Sequence, residues 1–300
     1  MCDGGHYADD VTPQPGTHGP VPGRGAAGVG TAAGVADALP SLNRDADVWV
    51  GNFPGLGSVQ IHPDGSVEVA AAERPDDDRD TVDQREHALR YGWGEPLSFA
   101  RRGFRQAHGA AVGPIEGDTC MLLLGDPHDV AIVLIELVRL DWAVLGDRPT
   151  PLKWDGQLLT AHPRSAPIVA SKRRATKAEL DGTRLRGDTD AMALDLPRVD
   201  EPRRVTAVVS MQMRKPDEDV FTPLSGHERF ETAAGLFMRG ALWPDVDNAE
   251  AEGEAAASAI MADHLALSRL PAARLRFDSA TKDDDVAAML AWWHTVVGSS

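Results

Sequence analysis

Residues Met121–Leu137 read MLLLGDPHDVAIVLIEL. An apolar run stops at Gly125, a short polar turn follows, and a second apolar run begins at Val130. Strand, turn and buried helix in that order are the layout of a phosphate-binding loop. Such a loop reads G-x-x-x-x-G-K-[ST]. Its glycines let backbone N–H groups converge on phosphate oxygens, its Lys neutralises them, and its Ser or Thr holds Mg²⁺. Laid on Gly125–Ile132, the pattern keeps Gly125 alone. Val130 stands at the second Gly, Ala131 at the Lys, and Ile132 at the Ser or Thr. Pro127 removes an N–H donor, and Asp126 and Asp129 put negative charge where a triphosphate would lie. Those two carboxylates complement the helix dipole themselves. Asp126, His128 and Asp129 are also metal-ligand types, but three ligands on one tight turn rarely converge, so no metal is expected. The stretch reads as a degenerate phosphate loop formed by Gly125, Asp126, His128, Asp129, Ala131 and Ile132. Neither ATP binding nor any cofactor is expected of it.

Working outward, Val130–Leu140 is apolar on nearly every side and predicts a buried helix. DWAVLGD, Asp141–Asp147, follows as a second strand. A strand, a buried helix and a strand within about 30 residues predict a parallel βαβ crossover. Upstream, DVWVGNFPGLGSVQIHPDGSVEVAA from Asp47 predicts three strands joined by glycine turns, with Gly65 at a positive-φ hairpin position. The acidic run Glu73–Asp83 reads as a solvated loop and Arg85–Trp93 as a helix. Downstream, Trp154–Gln157 reads as a turn and Arg204–Arg214 (RVTAVVSMQMR) as a strong strand. Glu228–Arg239 and Glu254–Leu267 read as helices, Leu275–Phe277 as a short strand, and Asp284–Val297 as a closing helix that packs Trp292 and Trp293 into the core. The fold class expected is α/β: a mixed sheet with a P-loop-type βαβ core plus β-hairpins.

Residues 1–45 are rich in Gly, Pro and Ala and poor in large apolar residues, so a disordered tail is expected there, with one folded domain over residues 46–298. Within the tail, Gly23, Gly25 and Gly28 match G-x-G-x-x-G. The match carries no dinucleotide reading, because no strand precedes it and no helix follows.

The order of motifs across the folded part has a likeness. HGAAV (His108–Val112), MLLLG (Met121–Gly125), a helix, WAVLGDRPTPL (Trp142–Leu152), WDGQ and AHPRSAPI (Ala161–Ile168) follow one another. RVTAVVSMQMR, FTPLSGHERF and LPAARLRF come later. This succession resembles the catalytic half of HPr serine kinase and its relatives, which have a phosphoenolpyruvate carboxykinase-like fold. The resemblance spans roughly Val48–Trp293. It implies that His108 lies near a γ-phosphate position, that Asp147 is one carboxylate of the metal and base region, and that Arg164 faces phosphate. The second acidic residue of that region is replaced by Gly146 or Arg148, and Val130, Ala131 and Ile132 do not match. Loss of one electrostatic group of this kind typically costs on the order of 10²–10³ in rate. The resemblance therefore implies a pseudokinase: a kinase fold acting as a binding or regulatory partner, possible settings being peptide modification or natural-product assembly. Two alternatives stand beside it: an active phosphotransferase with a non-standard nucleotide or phosphate site, or another enzyme using His108 and Asp147 in the same pocket; and a structural subunit of a complex.

Charge sets the partner class. The chain has 300 residues and a formal net charge of −16, which repels nucleic acid and anionic membranes. No apolar run reaches the roughly 20 residues of a membrane span, and no secretion signal opens the sequence, so a cytoplasmic location is expected. The segment SKRRATKAELDGTRLRG concentrates cations at Lys172, Arg173, Arg174 and Lys177. It reads either as a solvated loop or, more sharply, as a dock for an acidic protein, peptide or phosphate group. Cys2 and Cys120 are the two cysteines, and neither reads as a disulfide or metal partner. His162, before Pro163, reads as a turn residue.

Overall fold

A computed structural model describes residues 40–44, 47–171, 182–184, 191–214, 218–236, 264–277 and 282–298. The basic segment Lys172, Arg173, Arg174 and Lys177, the expected tail up to residue 39, and residues 254–263 of an expected helix lie outside the described residues.

The quoted stretch forms the centre. Every residue of β7 (Thr119–Leu124) is buried. Met121 and Leu123 enter one core with Val130, Leu134 and Leu137 of α3 (Pro127–Val138). Cys120, Leu122 and Leu124 enter a second core on the opposite face. A strand covered on both faces reads as an unbroken apolar run, which is why no alternation marks it. β14 (Arg203–Met213) lies parallel to β7, with Arg204 opposite Thr119 and Ser210 opposite Leu124. β16 (Ala272–Phe277) lies parallel to β14 on its other side. β6 (Ala110–Pro114) pairs antiparallel with β7, and β8 (Trp142–Asp147) antiparallel with β6.

β7 and β8 therefore run the same way, joined by α3, as expected of the crossover. They are not neighbours, because β6 lies between them. The short connection from Pro114 to Thr119 folds β6 and β7 into a hairpin, and a hairpin partner needs no crossover to reach the edge of β7. β5 (Arg105–Ala107), β9 (Thr150–Trp154) and β10 (Leu159–Ala161) complete the path β5-β9-β10-β14-β7-β6-β8. β10 and β16 both pair with β14, one at its start and one toward its end, so the mixed sheet curls. β15 (Phe221–Pro223) pairs antiparallel with β16.

Helices cover both faces. α3 and the closing helix α5 (Lys282–Val297) pack on one face, where Trp293 meets Trp142 with ring centroids 4.8 Å apart. Its indole N–H donates to Thr206 Oγ1 at 3.2 Å. α4 (Gly226–Leu236) contributes Ala233 to the core on the other face. A small sheet of order β11-β13-β12, formed by Ile168–Ser171, Ala191–Leu194 and Gly182–Arg184, adds Ile168, Ala170 and Leu194 to the core under α3.

The N-terminal sheet holds the three expected strands, β2 (Trp49–Phe53), β3 (Gly57–Ile61) and β4 (Val67–Ala71). It also holds β1 (Ser41–Arg44), paired antiparallel with β2 inside the segment expected to be tail. Only Leu42 in SLNR is apolar, and backbone pairing without a hydrophobic pattern leaves no periodic signal. Gly65 sits in the β3–β4 turn at φ +87°, as its hairpin role required. The acidic run is not all loop. Asp78 caps α1 (Arg79–His87) by accepting from Thr81 N at 2.8 Å, and Asp77 ion-pairs with Arg85. The cap explains why a polar run with no buried residue is helical. A π-helical turn, Ala88–Gly94, then leads into α2 (Glu95–Arg101).

Candidate functional site

β7, β8, β14 and β16 share one direction, so their carboxyl ends collect along one edge. In open α/β sheets ligands bind in the crevice beyond such ends. Three stretches far apart in sequence meet there. The register Ala110–Leu123 sets His108 and Gly109 beside Leu124 and Gly125. The register Ala110–Asp147 sets Asp147 on the other flank of β6. The joint is tied by the Arg148 backbone N–H, which donates to Gly109 O at 3.2 Å, and by the Thr150 hydroxyl, which donates to the same oxygen at 2.8 Å. Position 109 must be glycine, since a Cβ there would lie 2.5 Å from Leu123 O.

Beyond the end of β7 lies a crevice of about 300 Å³. Gly125, Ser210 and Gln212 line it, with Glu228 and Glu231 of α4 and Arg274 of β16. Arg274 Nη1 stands 3.8 Å from Glu228 Oε1. The strand-to-helix joint is very short. Asp126 O accepts from Asp129 N and Val130 N, both at 3.0 Å, and α3 begins at Pro127. Gly125 and Asp126 are thus the whole connection. Ala131 is 3% exposed within the core, and Ile132 packs against it. The positions aligned with the phosphate-loop lysine and hydroxyl stand inside a helix, one of them in the apolar core, rather than on a loop. The side chain of His128 lies outside the described residues. Among the described residues, no three His, Cys, Asp or Glu side chains gather as metal ligands do, and no helix is long and apolar enough to cross a membrane.

The flank of this edge is ionic. Arg148 grips Asp147 bidentately, Nε to Oδ1 at 2.8 Å and Nη2 to Oδ2 at 3.2 Å. The His108 residue is exposed at this edge, yet desolvation by the groups around it holds its imidazole below the usual histidine range; Arg148 adds to the effect and Asp147 opposes it. Arg164 is enclosed. Its Nε donates to Glu95 Oε2 at 2.7 Å, Nη1 donates to the carbonyls of Asp147 at 2.8 Å and Arg148 at 2.6 Å, and Nη2 donates to Tyr91 O. The structure thus brings His108, Gly125 and Asp147 to one edge and ties Arg164 to the β8–β9 turn and the N-terminal helices. Glu228, Glu231 and Arg274 escaped sequence reading, and Arg148 entered it only as the replacement of an acidic residue, not as a partner of Asp147. The i, i+3 pair Glu228 and Glu231 on an expected helix was the one available signal.

His87 and His162 are also held low, first by burial, then by Arg164 for His87 and by Lys153 and Arg102 for His162. A histidine whose folded pKa lies below its unfolded value of about 6.5 lets the unfolded chain take protons first. Its contribution is present above that pH and is lost as pH falls below it. Urea midpoints should therefore fall between pH 7.5 and pH 5.5, and replacing His87, His108 and His162 by Gln should flatten that slope. A midpoint that holds steady or rises on acidification contradicts the assignment.

No protein-family model matches this chain, and no curated protein sequence matches it.

Proposed function

We propose that this chain is a catalytically silent relative of the HPr-kinase-like fold that acts by binding a protein or peptide. The supporting observation is the joint at the carboxyl edge. A two-residue connection offers few converging N–H groups, its helix opens with Asp126, Pro127 and Asp129, and the crevice beside it carries Glu228 and Glu231 against Arg274. A triphosphate meets carboxylates there. The use left to such a fold is recognition, and the basic segment around Lys172, Arg173, Arg174 and Lys177 is the surface proposed for an acidic partner, in a chain of net charge −16.

Titrating the full chain with Mg–ATP to 1 mM should leave the backbone amide signals of Gly125, Ser210 and Gln212 unmoved. Saturable shifts at those amides in the micromolar range would sink the proposal. Changing Lys172, Arg173 and Arg174 together to Glu should weaken binding of a polyglutamate peptide at least tenfold at low salt with little change in melting temperature, and the loss should shrink as salt rises, because charge attraction through solvent is screened over about 8 Å at physiological salt. Unchanged peptide binding would remove the segment from the proposal.

A second reading rests on His108. A neutral imidazole near the Asp147–Arg148 pair at the crevice flank can accept a proton. If substitution of His108 or Asp147 by Ala abolishes function in the cell while peptide binding survives, the crevice is an active site.

A further inference from the structure

We infer that a second cleft, distinct from the carboxyl-edge crevice, binds a small organic oxyanion, a molecule carrying one carboxylate or phosphate group. The cleft measures about 570 Å³ and lies where the N-terminal sheet and its helices meet the main body. Gly65, Ser98 and Arg102 line it from the first, and Arg164, Ser165 and Arg198 from the second. Clefts between packed units are the preferred places for small-molecule sites.

Charge is what marks this cleft. Arg102, Arg164 and Arg198 face Glu95 and Asp200 around it, a cationic surplus in a chain of net charge −16. Glu95 already satisfies Arg164 at 2.7 Å. The other two guanidiniums make no ion pair among the described residues. Arg198 donates only to carbonyls, Nη1 to Arg164 O at 2.8 Å and Nη2 to Ala166 O at 2.7 Å. Arg102 donates Nε weakly to Ser98 O at 3.4 Å and lies over the rings of Phe99 and Phe104, 4.7 and 5.3 Å from their centroids. Burying a cation is costly: burial weakens Arg198's hold on its proton, Arg164 adds to the effect, and the carboxylates of Glu95, Asp147 and Asp195 offset it only in part, none of them in an ion pair with Arg198. An oxyanion between the two would recover that cost, because the guanidinium fork fits carboxylate and phosphate oxygens in pairs.

The backbone is arranged to hold this pair open. Gly65 leaves room for Arg102, since a Cβ there would lie 2.9 Å from Arg102 Cδ and 3.0 Å from Nε. Ser98 Oγ fastens the turn by donating to Gly65 O at 2.6 Å. On the far side, the π-helical turn Ala88–Gly94 carries Tyr91 O to Arg164 and ends beside Glu95. Single π turns inside helices are often found at functional sites. The apolar faces of Val67, Phe99 and Val199 are left to cover the body of the ligand.

Two probes at matched pH separate the sources: butyrate, which carries one carboxylate, and phenyl phosphate, which carries one phosphate. The full chain is titrated with each by calorimetry, and the amide signals of Gly65, Ser98 and Ser165 locate the site. At least one probe should bind with saturable shifts at those amides below about 1 mM. Arg102→Gln and Arg102→Glu, both at an exposed side chain, should weaken it at least tenfold while the remaining spectrum is unchanged. No shift at those amides with any probe, or equal affinity in both variants, overturns the inference. Shifts at Gly125 and Ser210 report the other crevice, so this test and the Mg–ATP test fail separately.

Discussion

Arg164→Ala is expected to destabilise the chain by about 3–5 kcal/mol, the usual result of removing one partner from a buried charge network. The side chain of Arg164 is 3% exposed and that of Glu95 is 14% exposed. Its loss strands the Glu95 carboxylate and the carbonyls of Tyr91, Asp147 and Arg148, all of which accept from it. Those acceptors belong to the π-helical turn, to α2 and to the β8–β9 turn, so the damage reaches both the N-terminal sheet and the flank of the carboxyl edge. Arg164→Lys should also cost several kcal/mol, because one ammonium cannot reach the four acceptors of a planar fork. Glu95→Gln should cost less, since it keeps an acceptor and removes a charge. Urea unfolding of the three variants checks the order. An Arg164→Ala midpoint within experimental error of the parent would show that the guanidinium is free enough to serve a phosphate, as the resemblance implied.

Ala131→Lys restores the missing phosphate-loop lysine on paper and is expected to unfold the protein rather than revive it. Ala131 is 3% exposed and packs in the core beneath α3. Keeping a lysine neutral at pH 7 against an ordinary pKa of about 10.4 costs roughly 4.6 kcal/mol. Forcing its extra methylenes into a filled core adds about 1–3 kcal/mol. Together these approach the whole stability of an ordinary domain, about 5–15 kcal/mol. Ala131→Met is the control, since it adds similar bulk without charge and should be far milder. A folded Ala131→Lys protein that binds Mg–ATP would mean that α3 can unwind its first turn into a true phosphate loop.

Much of the architecture was legible in local pattern. The nearly all-round apolar character of Val130–Leu140 predicted a buried helix beside the apolar run Met121–Leu124; that burial holds for most of α3, but the helix ends at Val138 and Leu140 is 48% exposed, because the chain must turn into β8 there. Gly65 and Asp155 announced their turns because positive φ and side-chain-to-backbone bonds are local properties: Gly65 has φ +87°, and Asp155 Oδ1 accepts from Gln157 N and Leu158 N. β1 and α1 were hidden for the opposite reason. Ser41–Arg44 is held by backbone pairing to β2, and Arg79–His87 by an Asp78 cap and an Asp77–Arg85 ion pair, none of which needs an apolar period.

What the tertiary structure alone decided is adjacency. No local rule says that β6 separates β7 from β8, because that depends on a hairpin competing with a crossover for one strand edge. Only that register sets His108 beside Gly125 and Asp147 across β6. The same holds for Arg164, which only the resemblance placed toward phosphate and which is bonded to Glu95, 69 residues earlier in the chain. Its neighbours Arg102 and Arg198 are likewise brought to one cleft only by the packing of two sheets. Sequence by itself determines which segments must hide from water and which backbones must turn, because burial and dihedral preference act over a few residues. Which charges meet is set by distances between segments far apart in the chain, and those exist only once the sheets have packed.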